Sequence, residues 1–389
     1  MEAQARTQDS GLTLAVMANS RKPDEHRLAI DPQHLSRIPA EVRPRVFLET
    51  GYGQRHGFGD AELAEWVGGF ASHAELVERC DVVLQPKPVI DDIAELRPHQ
   101  VFWGWPHCVQ DPEVTQLAID RRLTLIAFEE MNHWNPDGSF SLHVFHKNNE
   151  LAGYSSVLHA LQLSGATGHY GRRLSAAVLG FGATARGAVT ALTGLGITSV
   201  DVLTHRETEA VAAPIHAARI VHLDGDLVRA DPDETDPDPQ PQSLTSFLAG
   251  KDLIVNCSRQ NPLEPVVFLT EADLPSLTPG TLIVDVACDT GMGFSWARPT
   301  SFRQPLLELG DRVSYYAVDH SPSHLWASAT WENSKALLPF LEPVMAGPQG
   351  WDAEPAIARA IEIRDGVVQN PAILAFQGRE PDYPHGLRT

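Results

Sequence analysis

Short apolar runs alternate with segments of helical spacing through the first third of the chain. The apolar runs read, in order, LTLAVMA, RVFLETG, DVVLQPK, QVFWGW and LTLIAFE. Runs of this length, rich in β-branched and aromatic residues, are typical of buried strands. Their alternation with helical segments predicts a parallel α/β sheet.

A helical pattern separates this region from a second set of strands. Leu151, Tyr154, Leu158 and Leu161 repeat at three- and four-residue spacing, which predicts a helix over 148–164. The strand-like runs that follow it are LSAAVLG, SVDVLTH, ARIVHLD, DLIVNCS, GTLIVDVACD and SYYAVDH. They predict one doubly wound sheet.

The chain is therefore expected to form two Rossmann-like domains, the second of them a doubly wound dinucleotide-binding sheet. We assign 148–324 to the dinucleotide-binding domain. We assign 1–147 to a substrate and catalytic domain, completed by 325–389 packing back on it. An acidic, proline-rich stretch at 229–243, RADPDETDPDPQPQS, is expected to be an exposed loop without chemistry.

Composition narrows the classes of partner. The 389 residues include 30 Lys and Arg against 50 Asp and Glu, a formal charge of −20. This balance argues against binding to nucleic acid or to an anionic membrane, since both reward a basic surface. The four cysteines lack the C-x-x-C spacing of a zinc site, so we expect free thiols, no metal and a cytoplasmic enzyme.

A glycine turn after the LSAAVLG strand indicates a nucleotide site. In GFGATARG, Gly180 permits a tight turn, and Gly182 lets a phosphate approach backbone N–H groups at a helix N-terminus. Ala185 takes the third position, where a small residue allows the helix to pack on the strand. The residues that we assign to this site are Gly180, Gly182, Ala183, Thr184, Ala185 and Cys257.

The end of the next strand favours one cofactor over another. An acidic residue at this position holds a free ribose 2′-OH, whereas this strand ends in Thr204, His205 and Arg206. A hydroxyl and a guanidinium suit a 2′-phosphate instead. We therefore expect NADP(H), with NAD(H) as the alternative.

Four other residues of catalytic type follow predicted strands or loops. They are Arg27 in DEHRLAIDP, Lys87 in LQPKP, His107 in WGWPH and Asp289 in VDVACDTGMG. Because ligands of α/β sheets bind beyond the carboxyl ends of strands, we expect these side chains at one cleft.

This order of motifs resembles the alanine dehydrogenase and transhydrogenase superfamily. The resemblance rests on E-x-R-x-A, K-P after a strand, a strand ending in His, the G-x-G turn and VD-x-A-x-D-x-G. That superfamily includes lysine-forming saccharopine dehydrogenase and N5-(carboxyethyl)ornithine synthase. The segments FHKNNELAGYSSVLHAL, GTLIVDVACD and DHSPSHLWASATWENSKALL look closest to the carboxyethylornithine synthase branch.

The resemblance implies a role for each matching residue. Arg27 matches the arginine that binds the substrate carboxylate, while Lys87 and His107 match residues that act on the keto or imino group. Asp289 matches the aspartate beside the nicotinamide. Asn149 and His320 match positions that line the nicotinamide side of the cleft, and His320 departs from the asparagine of alanine dehydrogenases.

The implied reaction is reductive condensation of an amino acid with a 2-oxo acid, with NADP(H) as the reductant. An ornithine- or lysine-type amine and pyruvate are the expected substrates. The alternatives are an alanine-dehydrogenase-like enzyme that uses ammonia and a saccharopine-dehydrogenase-like enzyme that uses 2-oxoglutarate. A non-catalytic nucleotide sensor is a third possibility, and self-association is expected by analogy with the family.

Overall fold

The computed structural model describes residues 11–205, 215, 217–230 and 239–388. Arg206, one of the residues predicted at the ribose, lies outside them. The chain forms two compact units. Unit 1 contains the described residues up to His146 together with those from Trp326 onward, and unit 2 runs from Lys147 to Leu325.

Unit 1 is built on one predominantly parallel sheet with a separate hairpin. Its strands are β1 Leu14–Val16, β2 Val46–Glu49, β3 Gly69–Ala71, β4 Val82–Leu84, β5 Val101–Gly104, β6 Thr124–Ala127, and the hairpin strands β7 Asn132–Trp134 and β8 Phe140–His143. The strands of unit 2 are β9 Ser175–Leu179, β10 Ser199–Thr204, β11 Arg219–Asp224, β12 Leu227–Ala230, β13 Gln242–Ser243, β14 Leu253–Asn256, β15 Val267–Leu269, β16 Thr281–Asp285, β17 Gly293–Phe294, β18 Leu306–Leu309 and β19 Val313–Tyr316. The chain then returns to unit 1 with β20 Ile361–Arg364 and β21 Val367–Val368.

Helices cover both sheets and make the connections between strands. The α-helices are α1 Asp60–Leu63, α2 His73–Arg79, α3 Ile90–Ala94, α4 Pro112–Asp120, α5 His146–Ser164, α6 Ala183–Gly194, α7 Leu244–Ala249, α8 Trp326–Leu337, α9 Leu341–Met345, α10 Pro348–Ala353, α11 Pro355–Ala358 and α12 Pro371–Gln377. Short 3-10 helices span Pro32–Arg37, Arg43–Arg45, Gln54–His56, Ala64–Trp66, Phe128–Glu130, Glu271–Ser276, Ser321–Leu325 and Leu338–Phe340.

The sheet of unit 1 has the strand order β21-β20-β6-β5-β4-β1-β2-β3. The pairs from β3 to β6 are parallel, and β20 joins β6 in the antiparallel sense. Both faces are buried, as in parallel sheets generally. In β1, Leu14 and Val16 pack into one apolar core and Ala15 into the core on the other face. The order reverses between β1 and β4, which is where such sheets bind ligands.

The sheet of unit 2 repeats this winding, with the order β13-β12-β11-β10-β9-β14-β16-β19-β18. Its central strands β11, β10, β9, β14, β16 and β19 are parallel. The order reverses between β9 and β14, and this point again marks the expected ligand site. The expectation of two Rossmann-like domains is confirmed.

The acidic segment departs from its prediction. The ends of 229–243 belong to β12 and β13, which pair in the antiparallel sense beside β11, and 231–238 lie outside the described residues. The prediction of a loop throughout is therefore wrong at both ends. Edge strands are held by backbone hydrogen bonds to a neighbour, and they need no apolar pattern to form.

Candidate active site

Lys87 and His107 form a side-chain pair at the carboxyl edge of the unit 1 sheet. Lys87 follows β4 between two prolines, and His107 follows β5 with a φ of 51°. The Lys87 Nζ lies 2.8 Å from the His107 Nε2. The Ser20 hydroxyl, in the loop after β1, donates to the Lys87 carbonyl at 2.5 Å. Two neighbouring strands thus bring together two groups that can exchange a proton.

Glu129 holds His107 from the opposite side, and sequence reasoning missed it. It lies in the turn after β6, so it follows the next strand along the sheet. Its Oε1 accepts from the His107 backbone N–H at 2.7 Å and lies 3.6 Å from the ring Nδ1. The sequence did contain a signal for Glu129. The LTLIAFE run ends in this acidic residue, just as the two neighbouring strand-like runs are followed by the basic residues Lys87 and His107.

Arg27 is buried in the same unit and is oriented by Glu25. Its Nε donates to Glu25 Oε1 at 2.9 Å and its Nη2 to Glu25 Oε2 at 2.5 Å. The guanidinium also lies over the Trp105 ring, 5.2 Å from its centroid. Such a bidentate pair fixes the plane of the guanidinium. The E-x-R spacing carried this information, although only the arginine was singled out.

The glycine turn of unit 2 has the geometry that a dinucleotide phosphate needs. Gly180 has a φ of 108°, and a Cβ there would lie 2.8 Å from the Cys257 carbonyl oxygen. Helix α6 begins directly after Gly182, where a Cβ would project into open space, and its first turn contains no acidic residue. This turn therefore fits a phosphate bound at the helix N-terminus. Ala185 is fully buried in the core beneath the helix.

Two further glycines set the position of that helix. A Cβ on Gly187 of α6 would lie 1.7 Å from the Glu150 carbonyl oxygen of α5. A Cβ on Gly153 of α5 would lie 1.9 Å from the Thr184 carbonyl oxygen of α6. The two backbones therefore meet at a crossing that no side chain can enter. Gly187 ends the quoted GFGATARG motif, yet its packing role was not anticipated.

Of the three residues predicted to bind the ribose at the end of β10, the structure describes Thr204 and His205. Thr204 is buried, and the His205 Nδ1 lies 2.8 Å from the Leu223 carbonyl oxygen, which anchors the ring to β11. Arg206 falls outside the described residues. The assignment of these three residues to a 2′-phosphate stays a prediction.

The loop that carries Asp289 is organised by a second aspartate that sequence reasoning missed. Asp285, the last residue of β16, is fully buried. Its Oδ1 accepts from Asn256 Nδ2 at 2.9 Å and from the Cys288 N–H at 3.1 Å, and its Oδ2 accepts from the Tyr315 hydroxyl at 2.8 Å. Burial raises the pKa of Asp285 to about 6, although the three hydrogen bonds act in the opposite direction and lower it. Cys288 takes a left-handed φ of 48°, which sets the direction of the chain into Asp289.

The remaining predicted cofactor residues lie in unit 2. Asn149 is half-buried in the first turn of α5, and Cys257 is buried after β14. His320 is buried, with its Nδ1 2.7 Å from Asp319 Oδ1 and its ring edge-on to Phe302. That these residues contact a nicotinamide stays a prediction, as does a shared cleft for Asp289 with Lys87.

The described residues contain no group of three or more His, Cys, Asp or Glu side chains arranged to hold a metal ion. Within the same part of the chain, no helix combines the length and apolar character that a membrane span requires.

Comparison with known proteins identifies two family domains. The alanine dehydrogenase/PNT N-terminal domain matches residues 15–152, and the alanine dehydrogenase/PNT C-terminal domain matches residues 163–371.

Curated relatives include enzymes of two kinds at comparable similarity. An N(5)-(carboxyethyl)ornithine synthase from Clostridium botulinum is 24% identical over 331 residues, which are 81% of this chain and 89% of the relative. An alanine dehydrogenase from Mycobacterium tuberculosis is 22% identical over 379 residues, which are 92% of this chain and 95% of the relative. Among solved structures, an L-alanine dehydrogenase matches with a TM-score of 0.71 and 20% identity, covering 94% of this chain and 99% of the other.

Proposed function

Since the chain belongs to the alanine dehydrogenase/PNT family of oxidoreductases, we propose that it is an NADP(H)-dependent dehydrogenase that condenses an amino acid with a 2-oxo acid. The amino acid is of ornithine or lysine type, the oxo acid is pyruvate or a close analogue, and the product is a secondary amine. The observation that carries the proposal is the Lys87–His107 pair at the strand ends of unit 1.

The pair supplies the proton transfers that condensation needs. Attack of an amine on a keto carbon gives a carbinolamine, and loss of water from it requires a proton on the departing oxygen. Imidazoles exchange protons near neutral pH, and an ammonium next to a carbonyl oxygen polarises the bond. His107 would deliver the proton while Lys87 holds the oxygen. Glu129 accepts from the His107 backbone N–H and lies beside the ring Nδ1, so it would hold His107 in place.

Arg27 would bind the carboxylate of the oxo acid. A guanidinium presents two parallel N–H groups that match a planar carboxylate, and Glu25 and Trp105 hold the group in a fixed orientation.

Unit 2 would bind the dinucleotide, which supplies or accepts the hydride when bound. The backbone N–H groups of Ala183, Thr184 and Ala185, in the first turn of α6, would bind the pyrophosphate. Thr204, His205 and Arg206 would take the 2′-phosphate that distinguishes NADP(H). Asp289 would balance the charge of the iminium, and the buried Asp285 network fixes the loop that presents it.

A second candidate function is an amino-acid dehydrogenase that uses ammonia. It is supported by the alanine dehydrogenases that match this chain as well as the carboxyethylornithine synthases do. The two reactions share the same proton transfers and differ in the size of the amine. A saccharopine-dehydrogenase-like reaction with 2-oxoglutarate differs in the length of the oxo acid.

The deciding experiment measures NADPH and NADH oxidation by the purified protein at neutral pH. Pyruvate and 2-oxoglutarate are each offered with ammonia, ornithine, lysine or no amine, and products are weighed by mass spectrometry. A product with the mass of amino acid plus oxo acid less one oxygen supports the condensation. Turnover with ammonia as the sole effective amine would contradict the condensation and support the amino-acid dehydrogenase. NADPH bound without any turnover contradicts both.

A further inference from the structure

The segment that follows β1 is fixed at its start by a buried carboxylate. Glu49 ends β2, and its Oε2 accepts from the backbone N–H groups of Ala18 at 2.7 Å and Asn19 at 3.1 Å. Its Oε1 also accepts from the Asn19 side chain at 3.3 Å. The next residue, Ser20, donates its hydroxyl to the Lys87 carbonyl oxygen. The carboxylate of Glu49 thus holds the stretch of chain that binds the backbone of Lys87.

A second carboxylate, that of Glu95, holds the same segment through Arg21. Glu95 directly follows α3, and its Oε2 accepts from Arg21 Nη2 at 2.6 Å. The Arg21 Nη1 donates to the Asp91 carbonyl oxygen at 2.6 Å, and its Nε lies 3.8 Å from Asp92 Oδ1. One arginine therefore attaches the segment to α3, while Glu49 attaches it to β2.

His73 connects these two carboxylates. It is the first residue of α2, and its half-buried ring faces one carboxylate with each nitrogen. The Nε2 is hydrogen-bonded to Glu95 Oε1, and the Nδ1 lies 3.8 Å from Glu49 Oε1. A neutral imidazole can donate from one nitrogen only, whereas an imidazolium donates from both. Carboxylates at both nitrogens therefore favour the charged ring.

We propose that His73 is a positioning residue for the substrate site, and that its imidazolium joins Glu49 to Glu95 and so fixes residues 18–21 beside Lys87. The proposal rests on the proposed function, which assigns Lys87 and Arg27 to the oxo acid. Both carboxylates that face His73 are bound to this segment. Removal of the positive charge leaves them on either side of a neutral ring. The attachment of the segment therefore depends on one proton.

The charges around His73 keep that proton on the ring at neutral pH. The interaction with Glu49 raises the pKa of His73 to about 9, and Glu95 adds to this increase, while burial opposes both. Burial would raise the pKa of Glu49, but His73 and the backbone N–H groups that it accepts from lower it below its ordinary value. The charged groups that face His73 are Glu49 from β2 and Glu95 from the end of α3, and Arg21, Asp91 and Asp92 surround Glu95.

The direction of the pH dependence follows from these charges. A histidine whose pKa rises from 6.5 to about 9 in the assembled network contributes fully below pH 6.5, because it is then charged in either state. Its contribution declines as pH rises and is lost above about 9. Alkaline pH should therefore loosen the attachment of residues 18–21.

The first test uses the resting protein and needs no substrate. Hydrogen exchange of the peptide that spans residues 17–24 is followed by mass spectrometry from neutral to alkaline pH, and each rate is divided by that of an unstructured peptide at the same pH. The proteins are the wild type, His73→Gln, His73→Lys and the control His133→Gln, at an exposed histidine of unit 1. Glutamine carries no charge at any pH, whereas lysine keeps its charge to about pH 10.

In the wild type and the control, protection of this peptide should fall about tenfold between pH 6.5 and about 9, as a charge-assisted hydrogen bond is lost. His73→Gln should already have the low protection at neutral pH and show no such fall. His73→Lys should keep the protection and lose it at higher pH than the wild type.

Wild-type protection that does not change with pH overturns the proposal, as does an equal fall in His73→Gln. A His73→Lys variant that exchanges as fast as His73→Gln would show that the positive charge does not hold the segment. If the substituted proteins do not fold, the wild-type titration still decides.

Turnover links the segment to the substrate. His73→Gln should raise KM for the oxo acid about tenfold at neutral pH, because Arg27 follows the segment in the same loop, and His73→Lys should restore the wild-type value. KM for NADPH should not change in either variant. Loss of protection without a change in KM for the oxo acid would contradict the positioning role. Failure of the proposed function would abolish turnover in all four proteins and leave the exchange results intact, so the two failures are distinct.

Discussion

The Nζ of Lys87 and the Nε2 of His107 lie 2.8 Å apart, although 20 residues separate them in the chain. The two strands that precede them are neighbours in the sheet, with Leu84 opposite Trp103. The distance is that of a hydrogen bond, so one group holds the proton that the other accepts. A proton can therefore pass between them without a large movement of either side chain.

Replacing His107 tests this pair. His107→Asn is suitable because asparagine tolerates the positive φ at this position. Loss of the proton-transfer group should lower kcat by about 100- to 10,000-fold and leave NADPH affinity unchanged. Steady-state kinetics and fluorescence titration with NADPH measure the two effects. His99→Asn is the matched control, since His99 also has a positive φ but is exposed. Turnover that survives in His107→Asn removes this residue from the mechanism.

Arg27→Lys tests the carboxylate site. Lysine keeps the charge but cannot form two parallel hydrogen bonds, so KM for the oxo acid should rise about 10- to 100-fold. The Michaelis constant for NADPH should not change. The exposed Arg37 provides the control Arg37→Lys. An unaltered KM for the oxo acid would place its carboxylate at another residue.

Cofactor choice is tested at the end of β10. Arg206→Glu should raise KM for NADPH about 10- to 100-fold and leave that for NADH nearly unchanged, because a charged hydrogen bond to phosphate is lost. Comparison with Arg303→Glu, at an exposed arginine of unit 2, corrects for the change in net charge. Equal losses with both cofactors would rule out a 2′-phosphate contact by Arg206.

Asp285 should make the stability of unit 2 depend on pH. Its pKa is raised from 3.8 to about 6. At a pH between these two values, the folded protein therefore keeps a proton on Asp285 that the unfolded chain has released. The free energy of unfolding therefore falls as pH rises from 3.8 to about 6 and is flat above it. The full effect is about 3 kcal/mol.

Asp285→Asn cannot ionise at this position, so its free energy of unfolding should lack this fall between pH 3.8 and about 6. The difference between variant and wild type should therefore shift in favour of the variant over this range and stay constant above it. Urea unfolding at a series of pH values measures the difference. The exposed Asp311 supplies the control Asp311→Asn. Parallel stability curves for wild type and Asp285→Asn would show that the buried carboxyl does not titrate in this range.

Gly187→Ala tests the crossing of α5 and α6. The new Cβ would lie 1.7 Å from the Glu150 carbonyl oxygen, so the helices must separate. We expect a loss of about 1–3 kcal/mol of stability and weaker NADPH binding, since α6 carries the phosphate turn. Gly194→Ala, at the exposed last residue of the same helix with no atom beyond the local helix backbone within 4 Å of the new Cβ, should instead change stability by less than about 0.5 kcal/mol. Thermal unfolding of both variants provides the comparison, and equal effects would show that the crossing tolerates a methyl group.

Local signals in the sequence were sufficient for the central parallel strands of both sheets and for the groups that end them. Lys87 and His107 each follow an apolar run, and Gly180 follows another, so their positions at sheet edges are dictated by nearby residues. The resemblance to a known family, which the family domains confirm, rested on these same motifs.

Contacts between distant parts of the chain were not predictable in this way. The Gln377 side chain donates to the carbonyl of Cys108, the residue after His107, from 269 residues later in the chain, and nothing in its local pattern indicates that contact. Asp285 is satisfied by Asn256 and Tyr315, each about 30 residues away on a neighbouring strand. A buried carboxyl is defined by the donors that surround it, and those donors depend on strand order rather than on spacing.

The two units share one winding order but differ in the connection that follows their first strand. After β9, three residues lead into α6, at the turn where we propose that the phosphate binds. After β1, the next element begins at Pro32, and the long intervening segment carries Ser20, Glu25 and Arg27. Under the proposed function, substrate recognition would be encoded in this segment, which can change in length and composition while both sheets stay the same. Redesign of the oxo-acid preference should begin with residues 17–31, because exchanging that segment replaces Arg27, the proposed carboxylate ligand, and leaves unit 2 unchanged.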